Sequence, residues 1–225
     1  MAKPIKLYGH VLGPNPWKVA IIFEELGIPY ETEYMDMAVL KQEPFVSVNP
    51  NGRTPAIEDP NTGIILWESG AIINYLIDTY DKQGKLHYTS SPQKYYQDQW
   101  AQFQMSGQGP YFGQKAWFTH FHHEKNMTSA IERYGNEIRR VLGVIDLHLS
   151  KTGQQYLVPG DKATYADLMF VPWNAMTGFI VGEDFDKEWK EKYPTCYAWH
   201  QRLIERPAVK KCLDEKQKKV AESQK

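Results

Sequence analysis

The stretch Asn49-Pro50-Asn51-Gly52-Arg53-Thr54-Pro55, with Trp67-Glu68-Ser69-Gly70 shortly after it, constrains this chain more than any other. The first segment is a turn that runs into a strand through an X-Pro bond. Pro55 removes a backbone donor. An X-Pro bond takes the cis form at small cost, and a cis bond here bends the chain sharply. The N–H and C=O of Thr54 then face outward and can pair with a short extended peptide, as a free sheet edge does. Glu68 and Ser69 open a helix whose apolar stripe reads Ala71, Ile72, Tyr75, Leu76 and Tyr80. A helix N-terminus offers unpaired N–H groups and partial positive charge, which suits a ligand carboxylate. Glu68 offers an acceptor for an ammonium group. The plain alternative is that Glu68 and Ser69 only cap the helix.

Composition narrows the class. The 225 residues suit one large or two small domains, and a formal net charge of −1 leaves no basic footprint for nucleic acid. No apolar run reaches membrane-spanning length. Residues Met1 to Leu7 carry no apolar core of a signal peptide, so a cytoplasmic protein is expected. The two cysteines, Cys196 and Cys212, make no disulfide framework and read as small buried hydrophobes.

The organisation changes in the middle. Residues 1–82 alternate strand and helix signals. Ile5 to Tyr8 reads as a strand. Pro16 marks a helix start, with Val19, Ile22, Phe23 and Leu26 on one face and Gly27 as the stop. Pro29 to Tyr34 alternates as a strand does, and Thr54–Ile57 with Ile64–Leu66 makes a hairpin about residues 59–63. The order βαβ then ββα is that of a thioredoxin-like domain. Residues 83–91 are polar and turn-rich and read as a linker. From 92 to 225 helical periodicity dominates, including a long amphipathic helix from Ile131 to Leu149. Thr164-Tyr165-Ala166-Asp167 before Leu168-Met169-Phe170-Val171 is a capping box with Asp in place of Glu, so Asp167 is read as structural.

These segments together resemble the cytosolic glutathione transferases, and the resemblance spans nearly the whole chain. It is closest to a fungal branch similar to the globular domain of the yeast nitrogen-regulator prion protein. The matching residues are Gly13-Pro14-Asn15, Phe45 to Asn51, Trp67 to Ile72, Ser106 to Pro110, Ile131 to Tyr134 and Ala166 to Asn174. The regulator's Asn/Gln-rich leader has no match, so prion behaviour is not implied. The resemblance implies a thioredoxin-like α/β domain, an all-α C-terminal domain and a homodimer. It implies glutathione as the bound peptide, with Glu68, Ser69 and the Thr54 backbone holding its γ-glutamyl-cysteinyl part. Lys41, four residues before Phe45, is placed to meet the glycyl carboxylate. Arg53 either supports the ligand carboxylates or stabilises the loop.

Chemistry in such a protein centres on the glutathione thiol. A free thiol with pKa about 8.5 is only a few per cent thiolate near pH 7. Lowering it by about two units needs roughly 2.7 kcal/mol. A hydrogen bond to charged sulfur supplies about 1.5–3 kcal/mol, and a helix N-terminus about 0.3–1 kcal/mol. One donor at the start of the first helix therefore suffices. Other transferase classes use tyrosine, serine or cysteine there. Here the serine position matches Gly13, and no cysteine precedes Cys196. That argues against a cysteine-dependent thiol exchanger. Asn15 is the catalytic candidate through its amide N–H. Its alternative is a plain N-cap before Pro16. Tyr8 is a second candidate, placed within the strand and read as packing.

The second substrate is expected between the two domains, against a wall of Tyr111, Phe112, Trp117 and Trp173. The alternative for each is core packing in a helical stripe. His120, His122, His123 and Glu124 match no common zinc spacing, so no metal is expected. Glutathione is the co-substrate and no further cofactor is called for. The expected reaction is thiolate attack on a small hydrophobic electrophile or an organic hydroperoxide, in detoxification or oxidative stress. The alternative is a non-catalytic glutathione-binding or ligand-binding regulator with the same fold.

Overall fold

A computed structural model describes residues 2–124 and 126–223. The element order is β1 (Ile5–Gly9), α1 (Pro14–Leu26), β2 (Tyr30–Tyr34), α2 (Phe45–Val48), β3 (Ala56–Asp59), β4 (Ile64–Trp67), α3 (Ser69–Tyr80), α4 (Gln93–Phe103), α5 (Gly109–Ala116), α6 (Thr128–Thr152), α7 (Tyr165–Asn174), α8 (Thr177–Val181), α9 (Phe185–Lys192), α10 (Pro194–Ile204) and α11 (Pro207–Ser223). Two π-helical turns, Gln104–Gln108 and Trp117–Phe121, flank α5. The chain forms two compact units. One holds residues up to Leu86 together with the segment from Glu205 onward, and the other spans His87–Ile204.

The first unit is built on a four-stranded sheet in the order β2-β1-β3-β4. β1 runs parallel to β2 and antiparallel to β3, and β3 and β4 form the expected hairpin. Such a parallel pair needs a crossover, and α1 supplies it. Ile5 and Leu7 of β1, Ile57 of β3, Val19, Ile22 and Phe23 of α1, and Ile72, Ile73 and Leu76 of α3 are buried. The stop of α1 matches its expectation. Gly27 adopts φ +67°, and the Ile28 N–H closes the helix on the Phe23 carbonyl at 2.9 Å.

The start of α1 lies two residues before the expected one. Pro14 is its first residue and Gly13 its N-cap. Both prolines are tolerated because the first N–H groups of a helix have no partner within it. Asn15 is therefore inside the first turn, and the cap is a residue with no side chain.

The helical unit is organised about Asp167, which is fully buried. The capping box is present. Asp167 Oδ2 accepts from the Thr164 backbone N–H at 2.9 Å and from its hydroxyl at 3.0 Å. Oδ1 accepts from the Leu157 N–H at 2.8 Å and the Trp199 indole at 2.9 Å. Burial pushes the carboxyl pKa up, and these donors pull it back. The long helix α6 buries Ile138, Val141, Leu142, Ile145 and Leu149 along one stripe, as its periodicity requires. Pro110 has no N–H for the carbonyl four residues back, and the turn before it widens, with the Gly109 N–H reaching the Gln104 carbonyl. Buried Gln104, Gln108 and Asn174 are linked there by amide hydrogen bonds of 2.9 and 2.7 Å.

The sequence division placed all of 92–225 in the helical domain. The structure instead groups α11 with the sheet unit, where it packs on α1. Arg206 makes a two-pronged ion pair with Glu25 at 2.6 and 2.8 Å, and Lys211 meets Glu24 at 2.8 Å. Lys216 of α11 is half-buried, and burial draws its pKa down to about 8. Among the described residues no helix is long and apolar enough to cross a membrane.

Candidate functional site

The turn before β3 is locked by its own side chains. Asn49 is almost wholly buried. Its amide donates to the Arg53 carbonyl at 2.5 Å, and its side-chain oxygen accepts the Asn51 N–H at 2.9 Å. The Gly52 N–H closes the turn on the Asn49 carbonyl at 2.9 Å. Gly52 adopts φ +61°, and a Cβ there would stand 2.8 Å from the Leu40 carbonyl oxygen and 3.1 Å from Lys41 Cγ. Only glycine fits that approach. The same approach brings Lys41 to the turn that carries Arg53, and both side chains are exposed. Lys41 itself lies in a turn.

The Thr54–Pro55 peptide is cis, and Thr54 lies outside the ladder, which begins at Ala56. In the β3–β4 hairpin Ala56 pairs with Trp67. The Asn51 amide of the turn reaches the Glu68 carboxylate at 3.4 Å, so the two motifs read from the sequence meet in space. Glu68 occupies the N-cap position of α3 with φ +70° and ψ 114°, and it makes no side-chain cap hydrogen bond. Its carbonyl accepts the Ile72 N–H at 2.9 Å, which opens the helix. Its exposed carboxylate takes one long hydrogen bond, 3.4 Å, from the Asn51 amide. A non-glycine residue at such φ costs about 1–3 kcal/mol and is found preferentially at functional sites. Capping alone therefore does not account for Glu68. Ser69, the first residue of α3, is buried.

α1 packs against α3. Asn15 is half-buried in the first turn of α1, and Lys18 lies three residues on, on the same helical face. Lys18 is only 2 % exposed, and burial draws its pKa down to about 7, opposed by the nearby Glu68 carboxylate. Sequence reading missed Lys18. The signal was a lone cation inside the apolar run Trp17 to Phe23. Tyr8 is engaged elsewhere. Its hydroxyl donates to Glu58 at 2.5 Å, and its ring meets Phe45 edge-on at 5.4 Å.

The four aromatics expected to form a substrate wall divide. Phe112 is fully buried and Trp173 nearly so, packed edge to face at 6.3 Å in the interior of the helical unit. They are core residues there, because a helical stripe of aromatics faces its own bundle first. Tyr111 is half-buried with its ring 6.2 Å from Tyr134. Trp117 is 51 % exposed and stands by the equally exposed Phe121. His122 and His123 stack, and His120 stacks on Phe179. Among the described residues no group of three or more His, Cys, Asp or Glu is arranged to hold a metal ion.

Comparison with known proteins shows the family. Residues 3–78 match the family model described as glutathione S-transferase, N-terminal domain, and residues 110–207 the one described as glutathione S-transferase, C-terminal domain. The chain is 52 % identical over 209 residues to the glutathione S-transferase-like protein OpS6 of Beauveria bassiana, covering 93 % of this chain and 94 % of that protein. It is 34 % identical over 247 residues to the transcriptional regulator URE2 of Saccharomyces cerevisiae, covering 92 % of this chain and 67 % of the regulator. Among solved structures, the glutathione transferase URE2P6 of Phanerochaete chrysosporium, crystallised with oxidised glutathione, superposes with TM-score 0.89 at 48 % identity over 96 % of this chain and 97 % of that one. The chain belongs to the glutathione transferase family, among fungal members related to URE2, with a thioredoxin-like domain and an all-helical domain.

Proposed function

We propose that this protein is a glutathione transferase that conjugates glutathione to small hydrophobic electrophiles, with reduction of organic hydroperoxides as a second outlet for the same thiolate. The reading is supported by the Asn51–Glu68 hydrogen bond, which joins the turn that leads into Thr54 to the start of α3. Thr54 pairs with the cysteinyl backbone of glutathione. Glu68 takes its α-ammonium, and the start of α3 with Ser69 takes its α-carboxylate. Lys41 and Arg53, both exposed at the Gly52 turn, serve the glycyl carboxylate. Asn15 donates its amide N–H to the sulfur and favours the thiolate. In conjugation that thiolate forms a C–S bond while the leaving group departs with the electron pair. With a hydroperoxide it attacks oxygen, the O–O bond breaks and an alcohol leaves. One oxygen stays on sulfur as the sulfenic acid, and a second glutathione thiol attacks that sulfur to give the disulfide while the oxygen leaves as water. The electrophile contacts are assigned to Tyr111 and Trp117, with Phe112 and Trp173 behind them. A cytosolic homodimer is the working form.

A non-catalytic role as a glutathione-binding regulator is the second reading. It is favoured by the likeness to URE2, a protein described as a transcriptional regulator. Retention on immobilised glutathione followed by turnover on a panel of electrophiles and hydroperoxides separates the two. Retention with turnover supports the transferase, and retention without turnover on any substrate supports the regulator.

A further inference from the structure

We infer that Lys115 and Arg139, whose side-chain ends converge over Gly135, form a binding site for a compact oxyanion, a carboxylate or phosphate group, on the helical unit between α5 and α6. Both cations belong to that unit, whereas Asn15, Lys41, Arg53, Thr54, Glu68 and Ser69 belong to the sheet unit. No residue proposed to hold glutathione contributes to it.

The convergence is geometric. α5 packs against α6. A Cβ on Gly135 would stand 3.3 Å from Arg139 Nη1 and 3.8 Å from Lys115 Cε, so both side chains reach one point on α6. Gly135 is buried inside α6 and has no positive φ, so its backbone does not require glycine. Glycine in a helix interior weakens the helix relative to alanine. Here the missing side chain leaves room between two donors.

Neither donor is saturated. Arg139 is held by Glu188, to which Nε and Nη2 donate at 2.7 and 2.8 Å, and its guanidinium carbon lies 5.6 Å from the Phe185 ring. Nη1, the nitrogen nearest Gly135, has no acceptor among the described residues. Lys115 is only 7 % exposed, and its ammonium makes no hydrogen bond or ion pair among the described residues. Burial and the neighbouring Arg139 both lower its pKa. Glu188 is already shared between Arg139 and Lys192, the latter at 3.0 Å, and leaves Lys115 unanswered. α5 runs on into the π-helical turn Trp117–Phe121, so Lys115 does not sit at a free helix end whose carbonyls could meet its charge. An apolar side chain would fill this place at lower cost. A bound oxyanion supplies the missing negative charge, with one oxygen for Nη1 and another for the ammonium. Arg139, half-buried, leaves the site open to solvent.

The probes are inorganic phosphate and succinate, added to the full chain up to about 20 mM, with sodium chloride holding ionic strength constant. A Kd of about 1 mM raises the melting temperature by about 5 °C over that range, more than half of it below about 5 mM. A response to phosphate alone assigns a phosphate group, and an equal response to succinate a carboxylate. Lys115→Met should be at least as stable as wild type without anion and should shift by less than about 1 °C with it. Gly135→Ala keeps every charge, strengthens the helix and fills the space between the donors, so it should also lose most of the rise. A rise of wild-type size in either variant would overturn the site. So would a wild type that responds to neither anion, or one whose melting temperature climbs only in proportion to concentration, as exclusion of a kosmotropic anion predicts.

Discussion

Trp199 gives its indole N–H to the same Asp167 oxygen that takes the Leu157 backbone N–H, at 2.9 and 2.8 Å. The other oxygen is taken by Thr164, through its backbone N–H and its hydroxyl. One carboxylate thus ties the start of α7 to the preceding loop and to α10.

The four groups bonded to the Asp167 carboxylate all donate to it, so an amide cannot replace it. Asp167→Asn turns an N–H₂ toward a donor, and Asp167→Ala leaves two backbone N–H groups and an indole unpaired. An unpaired buried donor costs about 1–3 kcal/mol. Both variants should lose roughly 3–5 kcal/mol of stability, read as denaturant midpoints, with glutathione affinity of the folded fraction little changed. An Asp167→Asn protein of wild-type stability and no turnover would make Asp167 catalytic.

Glu68 should show a trade between stability and binding. Glycine adopts φ +70° without the penalty that glutamate carries there. Glu68→Gly is expected to be at least as stable as wild type while binding glutathione tenfold or more weakly, because a desolvated charged hydrogen bond is worth about 1.5–3 kcal/mol. Thermal melting and calorimetric titration on the same preparation check both halves. Unchanged affinity would remove Glu68 from the site.

His200 should make the protein acid-sensitive. It is buried under Trp189, ring centroids 5.0 Å apart, and Nδ1 has no partner among the described residues. Burial lowers its pKa from 6.5 to about 3. The folded state thus holds it neutral, while the unfolded chain protonates below 6.5. Its contribution is complete above pH 6.5 and is lost as pH falls toward 3, at up to about 1.4 kcal/mol per pH unit. His200→Phe should flatten the stability curve below pH 6.5 relative to wild type. Parallel curves for the two proteins would mean the histidine does not contribute.

Much of the sheet unit was legible because its signals are local. Gly27 and Gly52 stand where the backbone takes positive φ, and the β3–β4 hairpin follows from alternation about its turn. The turn before β3 was legible for the same reason, since Asn49, Gly52 and Pro55 dictate it by themselves. What failed depended on partners. The start of α1 was misplaced because Pro14 and Pro16 are both acceptable in a first turn, and only tertiary context chooses. The packing of α11 on α1 rests on Arg206 meeting Glu25, some 180 residues away in the chain, which periodicity cannot express. Phe112 and Trp173 carry the pattern of an aromatic face whether that face meets a ligand or a core. Lys18 was overlooked because its burial follows from the packing of α1, which the run of apolar residues around it does not express.

The most direct test of the account is the thiolate absorbance of bound glutathione, titrated against pH in wild type and Asn15→Ala. The wild-type thiol should titrate well below the free value of about 8.5. In Asn15→Ala the helix start and Thr54 remain, so glutathione should still bind, and its thiol should titrate higher, with neutral-pH turnover falling about tenfold per pKa unit. A wild-type thiol that titrates at the free value, or a shift that survives intact in Asn15→Ala, would contradict the assignment of Asn15 as the residue that makes glutathione a nucleophile here.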